Sequence, residues 1–158
     1  MKKFTLLALA VASLFLATAP NLSAQTEFAL EWGVITDKSF SFKPFLWTAG
    51  LTLDFYLNPD FSLSPEVFMI VQNFDFGGFF LAPGILLNYQ GTDFFIGGGL
   101  TKWWLVGSEV EGAYSTDVAF KANVGYKSAN IKLTVFAITS FNEFFKEPVF
   151  GATFALWF

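Results

Sequence analysis

The sequence predicts an all-β fold, a transmembrane antiparallel up-and-down β-barrel of about eight strands. Three observations favour this fold. Charged residues make up only 14% of the 158 residues, whereas aromatic residues make up 20%. Apolar residues alternate with small or polar ones along most of the chain. After the N-terminal leader, no stretch approaches the ~18 unbroken apolar residues of a membrane-spanning helix. The hydrophobicity is therefore distributed as in a sheet with one apolar face.

The leader, residues 1–24, has the pattern of a cleavable signal peptide and predicts export through the Sec pathway. Lys2 and Lys3 precede an apolar core at residues 6–16, which is too short to span a bilayer. Two small-x-small cleavage motifs compete, ending at Ala19 and Ala24. Pro20 directly follows the first motif and favours cleavage at the second. Residues 25–158 then form one barrel domain.

Composition excludes several classes of function. After the leader the chain carries seven lysines and thirteen acidic residues, a formal charge of −6, which argues against a nucleic-acid partner. The sequence contains no cysteine and no histidine. Disulfides, thiolate metal sites and histidine-based metal or catalytic sites are therefore excluded, and we predict no cofactor.

Eight segments of period two follow the leader. They span about residues 27–35, 45–57, 61–72, 79–89, 94–104, 113–126, 130–139 and 149–158. One face of each segment is bulky and nearly uncharged, and the other is largely small or polar. The interior of an eight-stranded barrel is just wide enough to be filled by side chains. We therefore expect the bulky face to meet lipid and the small, polar face to line the lumen.

The connections between these segments alternate in length. Those at 58–60, 90–93 and 127–129 are short, whereas those at 36–44, 73–78, 105–112 and 140–148 are mostly longer. Short periplasmic turns and longer outer loops are typical of outer-membrane barrels, so the predicted location is the bacterial outer membrane. Phe40 and Phe42 in the first long loop predict either a contact surface or part of an interfacial aromatic girdle.

The last strand ends in alternating apolar residues and a terminal phenylalanine. Gly151, Phe154, Leu156 and Phe158 resemble the C-terminal assembly signal of outer-membrane barrels, and the chain from residue 25 resembles the small eight-stranded OmpA/OmpX-type barrels. This resemblance implies delivery by periplasmic chaperones and insertion by the barrel-assembly machinery. Because a barrel closes its own sheet, an oligomer is not required.

Six charged residues fall on the predicted lumen face. They are Glu31, Asp54, Glu66, Asp117, Lys121 and Lys132. One interpretation is a gated polar channel, and the other is an ion-pair network that plugs a closed interior. Because enclosed charges must be paired, we predict that Lys121 and Lys132 neutralise carboxylates such as Glu66 and Glu31.

Pro65 and Pro83 fall on the bulky face of neighbouring strands, each nine residues from Phe74 in the connecting loop. Proline removes a ladder hydrogen bond, so two prolines side by side would leave a gap in the wall through which an apolar solute could enter. The alternative is a pair of tolerated bulges.

The sequence as a whole predicts an outer-membrane protein with a structural or surface-interaction role, a mostly plugged polar lumen and no enzymatic activity. A narrow pore or lateral conduit for small apolar molecules is the second possibility. A lipid-modifying enzyme is the third, disfavoured because the chain has no histidine to act as the base.

Overall fold

The computed structural model describes residues 26–37, 39–40, 42–107, 114–128, 130–140 and 147–158. The predicted signal peptide, residues 1–24, lies outside these ranges. Nine strand segments are present in the described part of the chain: β1 Thr26–Thr36, β2 Leu46–Asn58, β3 Phe61–Gln72, β4 Asp75–Gln90, β5 Phe94–Thr101, β6 Trp104–Gly107, β7 Ala119–Ser128, β8 Ile131–Thr139 and β9 Val149–Trp157. The described residues contain no helix long and apolar enough to cross a membrane.

The strands form one closed antiparallel sheet. The hydrogen-bonded order is β3-β2-β1-β9-β8-β7-β5-β4-β6, and a further β3–β4 pairing closes it. Segments β5 and β6 keep one register against β4, with Thr101 opposite Gly84 and Trp104 opposite Leu81, so together they form the fifth strand. The structure thus confirms a barrel of eight antiparallel strands.

The bulky face of the sheet points outward, as predicted. Large apolar side chains are exposed on the outside, including Trp32 at 40%, Ile96 at 54% and Val135 at 56%. Charged and hydroxyl side chains are enclosed, among them Lys121 and Lys132, each 4% exposed. A sheet with this arrangement is suited to a hydrocarbon exterior.

The connections define the two ends of the barrel. The turn end carries the short connections after β2, β4 and β7, together with the start of β1 and the end of β9. The loop end carries the other four connections. In outer-membrane barrels the short turns are periplasmic and the longer loops extracellular.

The loop predicted between the third and fourth strands at 73–78 is wrong, because β4 already begins at Asp75. Asn73 and Phe74 form a two-residue turn, with φ of 50° and 59°. Positive φ at both central positions is the geometry of a hairpin turn that matches the twist of the strands. The N–H of Asn73 donates to the carbonyl of Phe45, and its Oδ1 accepts from the Phe45 N–H, which holds the turn in place.

The two prolines do not open the wall between their strands. β3 and β4 pair without interruption from Phe61 opposite Tyr89 to Val71 opposite Phe79, so the gap predicted from Pro65 and Pro83 does not form there. Pro65 lies opposite Ile85, and Pro83 lies opposite Val67.

Each proline instead coincides with a break on the other side of its strand. The carbonyl of Pro83 accepts from the Lys102 N–H, so its backbone faces the fifth strand, where its missing N–H would otherwise bond. Lys102 and Trp103 form the interruption between β5 and β6. On β3, the ladder to β2 skips Leu53 and Asp54, the positions opposite Pro65 and Ser64.

Candidate functional site: the lumen

The interior of the barrel is divided into two halves of different chemistry. The half near the loop end, the apolar plug, is built from large hydrophobic side chains. Its members are Ile35, Phe68, Ile70, Ala82, Trp103, Ala119, Phe136 and Ile138, with Leu46, Phe80 and Val149 packed against them. The half near the turn end, the polar half, holds the enclosed charges and most of the buried hydroxyl and amide groups. The prediction of a polar lumen therefore holds for one half only.

An ion pair marks the boundary between the two halves. Lys121 Nζ lies 2.6 Å from Glu66 Oε1, and both side chains are buried. The same ammonium group lies 4.7 Å from the ring centroid of Phe68 and 4.5 Å from that of Phe136. Lys121 therefore neutralises a carboxylate on one side and contacts two aromatic faces of the plug on the other, an arrangement that is favourable once desolvated.

A second lysine lies among the carboxylates of the polar half. Lys132 Nζ is 3.2 Å from Asp54 Oδ2 and 3.8 Å from Glu31 Oε1. It also lies 4.9 Å from the ring centroid of Phe95. The structure thus brings together five of the six charges predicted for the lumen: Glu31, Asp54, Glu66, Lys121 and Lys132.

Hydroxyl groups donate further hydrogen bonds to two of these carboxylates. Thr52 and Thr153 each donate to one oxygen of Glu31, both at 2.8 Å. Ser64 donates to Asp54 and accepts from Asn88 Nδ2 at 2.8 Å. Carboxylates bonded in this way are held in fixed rotamers, as expected for buried charges that must be both paired and hydrogen-bonded.

Asp117 was predicted to belong to this group, and that prediction is wrong. Its side chain is exposed, and it precedes β7, which begins at Ala119 rather than near residue 113. The backbone before Ala119 stays bonded to the fifth strand, but its register shifts by one residue between the Ala119–Thr101 pair and the Ser115–Trp104 bridge. The period-two pattern therefore does not determine the direction of the Asp117 side chain.

A third charged cluster at the turn end was missed by the sequence analysis. Lys127 donates to Glu27 and to the hydroxyl of Tyr56, and Tyr56 donates to Glu27 at 2.8 Å. The ammonium group of Lys127 lies 4.0 Å from the ring of Trp157. Glu27 and Tyr56 already lie within the first two predicted segments, and extending the sixth segment by one position would have added Lys127. The cluster joins β1, β2, β7 and β9.

Two voids enclosed by lumen side chains are small. One of about 10 Å³ lies between the plug and the Lys121–Glu66 pair. Another of about 10 Å³ lies within the polar half. A volume of this size holds about one water molecule. No cluster of three or more carboxylates in the described part of the chain is placed to hold a metal ion.

The residues of the predicted assembly signal lie along β9. Gly151 faces the lumen, where a Cβ would overlap the ring of Phe136. Phe154 and Leu156 lie on the outer face, and Phe154 packs against Trp32 with ring centroids 5.7 Å apart. Phe158 is 67% exposed, and its backbone pairs with Phe28 of β1. The strand that carries the signal is therefore also the strand that closes the barrel.

Comparison with known proteins yields a likeness of fold. No family model and no curated protein sequence matches the chain. Among solved structures, Neisserial surface protein A (NspA) is 7% identical, with a TM-score of 0.52, and the alignment covers 84% of this chain and 92% of NspA.

Two further structures are similar over the same length. One is Ail, the attachment invasion locus protein of Yersinia pestis, at 11% identity, a TM-score of 0.45 and coverage of 84% of this chain and 93% of Ail. The other is a de novo designed transmembrane β-barrel at 12% identity, a TM-score of 0.49 and coverage of 84% and 95%. With its closed sheet, apolar exterior and enclosed charges, the chain has the fold of the small eight-stranded outer-membrane β-barrels.

Proposed function

We propose that this chain is an integral outer-membrane protein with a structural or surface-interaction role, and that no solute passes through its lumen. One observation carries the proposal: the interior is filled from the loop end by the apolar plug and from the turn end by ion pairs and their hydroxyl partners. The two voids enclosed by lumen side chains hold about 10 Å³ each, which is too little for a continuous column of water.

Planar-bilayer conductance tests this proposal. The purified protein should produce no steady channels. Replacing Phe68 and Phe136 by alanine together removes two large side chains from the plug and should produce measurable conductance. Leu87→Ala is the matched control, since Leu87 is 49% exposed on the outer face. Steady channels from the unsubstituted protein would overturn the closed-lumen proposal.

Exposed aromatic side chains at the loop end support a surface-interaction role. Phe40, Phe42, Phe74 and Phe76 are between 50% and 65% exposed. Phe40 stacks on Phe150, with ring centroids 5.4 Å apart. Groups of exposed apolar side chains on a folded protein are typical of contact surfaces.

Retention of expressing cells on an apolar polystyrene surface tests this role. Phe42→Ser together with Phe76→Ser should reduce retention, because both side chains lie at the loop end and are at least half exposed. Leu57→Ser, an exposed position at the turn end, should leave retention unchanged. Equal retention for both variants at equal surface abundance would contradict a contact role for the loop end.

We also propose that the chain has no catalytic role. The buried hydroxyls of Thr52, Ser64 and Thr153 are engaged as donors to carboxylates, and the chain contains no histidine to activate them. The mass spectrum of outer-membrane lipid A should therefore be the same with and without the protein. A change in acyl-chain number or length that depends on Ser64 would overturn this part of the proposal.

Assembly by the barrel-assembly machinery, after delivery by periplasmic chaperones, is proposed from the sequence of β9. Phe158→Ala should slow assembly while leaving the lumen intact, since Phe158 lies outside the barrel at 67% exposure. The measurement is the fraction of newly made protein that shows heat-modifiable migration on gels. An unchanged rate of appearance would contradict a role for Phe158 in assembly.

A further inference from the structure

Three oxygen atoms in the polar half are buried without a hydrogen-bond partner. They are Asn88 Oδ1, Asn123 Oδ1 and Thr134 Oγ1, on residues that are 1%, 6% and 6% exposed. Leaving a buried polar atom unpaired is destabilising, and folded proteins rarely leave several together. Three such atoms in one region therefore indicate a missing partner.

The three residues line one void. Asn88, Asn123 and Thr134 all contribute to the cavity of about 10 Å³ within the polar half. Gly97 pairs with Asn88 on one side and with Asn123 on the other, so the two amides flank a position that has no side chain. A Cβ on Gly97 would overlap Asn88 Oδ1. The glycine thus leaves room for the Asn88 amide, whose Oδ1 lies over it.

The size and polarity of this void decide what can occupy it. About 10 Å³ is the space of a single water molecule, which typically makes about three hydrogen bonds when buried. Two amide oxygens can accept both protons of one water, and the hydroxyl of Thr134 can donate to its oxygen. A cation is disfavoured, because the carboxylates that line the same void, Glu31 and Glu66, are already paired with Lys132 and Lys121. The ammonium groups of these two lysines would repel it.

We propose that one ordered water molecule occupies this void and bridges Asn88, Asn123 and Thr134. Asn88 also donates to Ser64, which donates to Asp54. The water therefore extends the hydrogen-bonded network of the ion pairs across Gly97, from β4 to β7 and β8. Through it, all three unpaired oxygens gain a partner.

Water-to-protein nuclear Overhauser effects in detergent micelles test this proposal. The side-chain amide protons of Asn88 and Asn123 should show cross-peaks to a water that stays bound for longer than nanoseconds. Asn123→Leu removes one acceptor at similar volume and should abolish the cross-peak at Asn88. Gly98→Ala is the matched control: its Cβ would meet the end of the Phe120 side chain at 2.9 Å and the Lys121 carbonyl oxygen at an ordinary contact distance of 3.4 Å, and both cross-peaks should remain.

Gly97→Ala would displace the Asn88 amide, but its Cβ would also lie 2.5 Å from the Leu87 carbonyl oxygen, so the variant is expected to fold poorly. Asn123→Leu keeps the test independent of that difficulty. Absence of long-lived water at both amides of the folded protein would overturn the proposal. So would cross-peaks that vanish when sodium chloride is replaced by choline chloride, because that result would indicate a bound cation.

Discussion

The two halves of the lumen fill the same narrow interior in different ways. In the apolar plug, side chains such as Phe68, Ile70 and Ile138 exclude water by volume alone, and their directions matter only for packing. In the polar half, each of Glu31, Asp54 and Glu66 is matched to a particular ammonium or hydroxyl partner. The plug therefore tolerates exchange among apolar side chains of similar size, whereas the polar half depends on specific pairs.

This difference predicts different costs of substitution in the two halves. Hydrophobic packing tolerates volume-conserving changes at a cost below ~1.5 kcal/mol. A buried charge that loses its partner costs about 3–5 kcal/mol. We infer that the plug closes the lumen, and that the polar half, whose pairs join β1, β2, β3, β7 and β8, favours one register of the sheet.

The largest effect is expected where the halves meet. Lys121→Met leaves Glu66 buried without its ammonium partner and should lower the free energy of unfolding by about 3–5 kcal/mol, measured by reversible denaturant unfolding in lipid vesicles. Adding Glu66→Leu should recover most of the loss, because an apolar pair of similar volume needs no charge partner. Lys102→Met, at a half-buried lysine whose ammonium group lies over the Trp104 ring, is the control. A loss no larger than that of the control would indicate that the pair contributes no stability.

The same substitution, threonine to valine, should change the free energy of unfolding in opposite directions in the two halves. Thr52 and Thr48 lie on the same face of β2 and are both buried, at 2% and 1% exposure. Thr52→Val removes a hydrogen bond to ionised Glu31 and should destabilise by about 1.5–3 kcal/mol. Thr48→Val removes a hydroxyl that has no partner and should stabilise by about 1 kcal/mol. Equal effects in the same unfolding experiment would erase the distinction between the halves.

A smaller effect is expected in the wall beside the boundary. Pro83→Ala supplies the missing N–H opposite Lys102 and should add one ladder hydrogen bond, worth about 0.5–1.5 kcal/mol. Part of that gain is offset by the greater freedom of the unfolded chain. Hydrogen exchange should show a protected amide at position 83. Rapid exchange at that amide would mean that the break in the fifth strand has another cause.

The smallest effect is expected for Asp117, the predicted lumen charge that lies in neither half of the lumen. Asp117→Asn should change the free energy of unfolding by no more than about 0.5 kcal/mol, because the side chain is exposed. Asp54→Asn, which weakens the contact to Lys132, is the comparison and should cost more. A large loss of unfolding free energy for Asp117→Asn would indicate that Asp117 belongs to the charged network of the lumen.

Alternation in the sequence was enough to predict which side chains face the lumen, but not how they are arranged along it. Phe68 and Phe136 lie on β3 and β8, and they come to one level only through the registers of the strands between them. The composition of the inward face, taken over all strands together, does not show that its large apolar side chains cluster near the loop end. The register likewise brings Lys132 close to Asp54 as well as to Glu31. The contact with Asp54 could not be predicted from the spacing of these residues along the chain.

Local irregularities explain the remaining differences. Asp117 was assigned by period, but the strand that would fix its direction begins two residues later. The tight turn at Asn73–Phe74 places phenylalanine at positive φ, which is uncommon, so the sequence does not indicate this turn. Pro83 was recognised as a break in the sheet, yet the sequence does not show which neighbouring strand its missing N–H faces.

Tryptophan quenching tests the central claim most directly, because one inward and one outward tryptophan report on both faces of the sheet. Trp103 lies in the plug at 4% exposure, and Trp32 lies on the outer face at 40%. Two variants, each keeping one of these and carrying phenylalanine at the other tryptophan positions, would be reconstituted in bilayers. Brominated acyl chains should quench Trp32 strongly, and neither brominated lipid nor aqueous acrylamide should quench Trp103. Strong quenching of Trp103 by acrylamide, or none of Trp32 by brominated lipid, would contradict a sealed barrel with its bulky face in hydrocarbon.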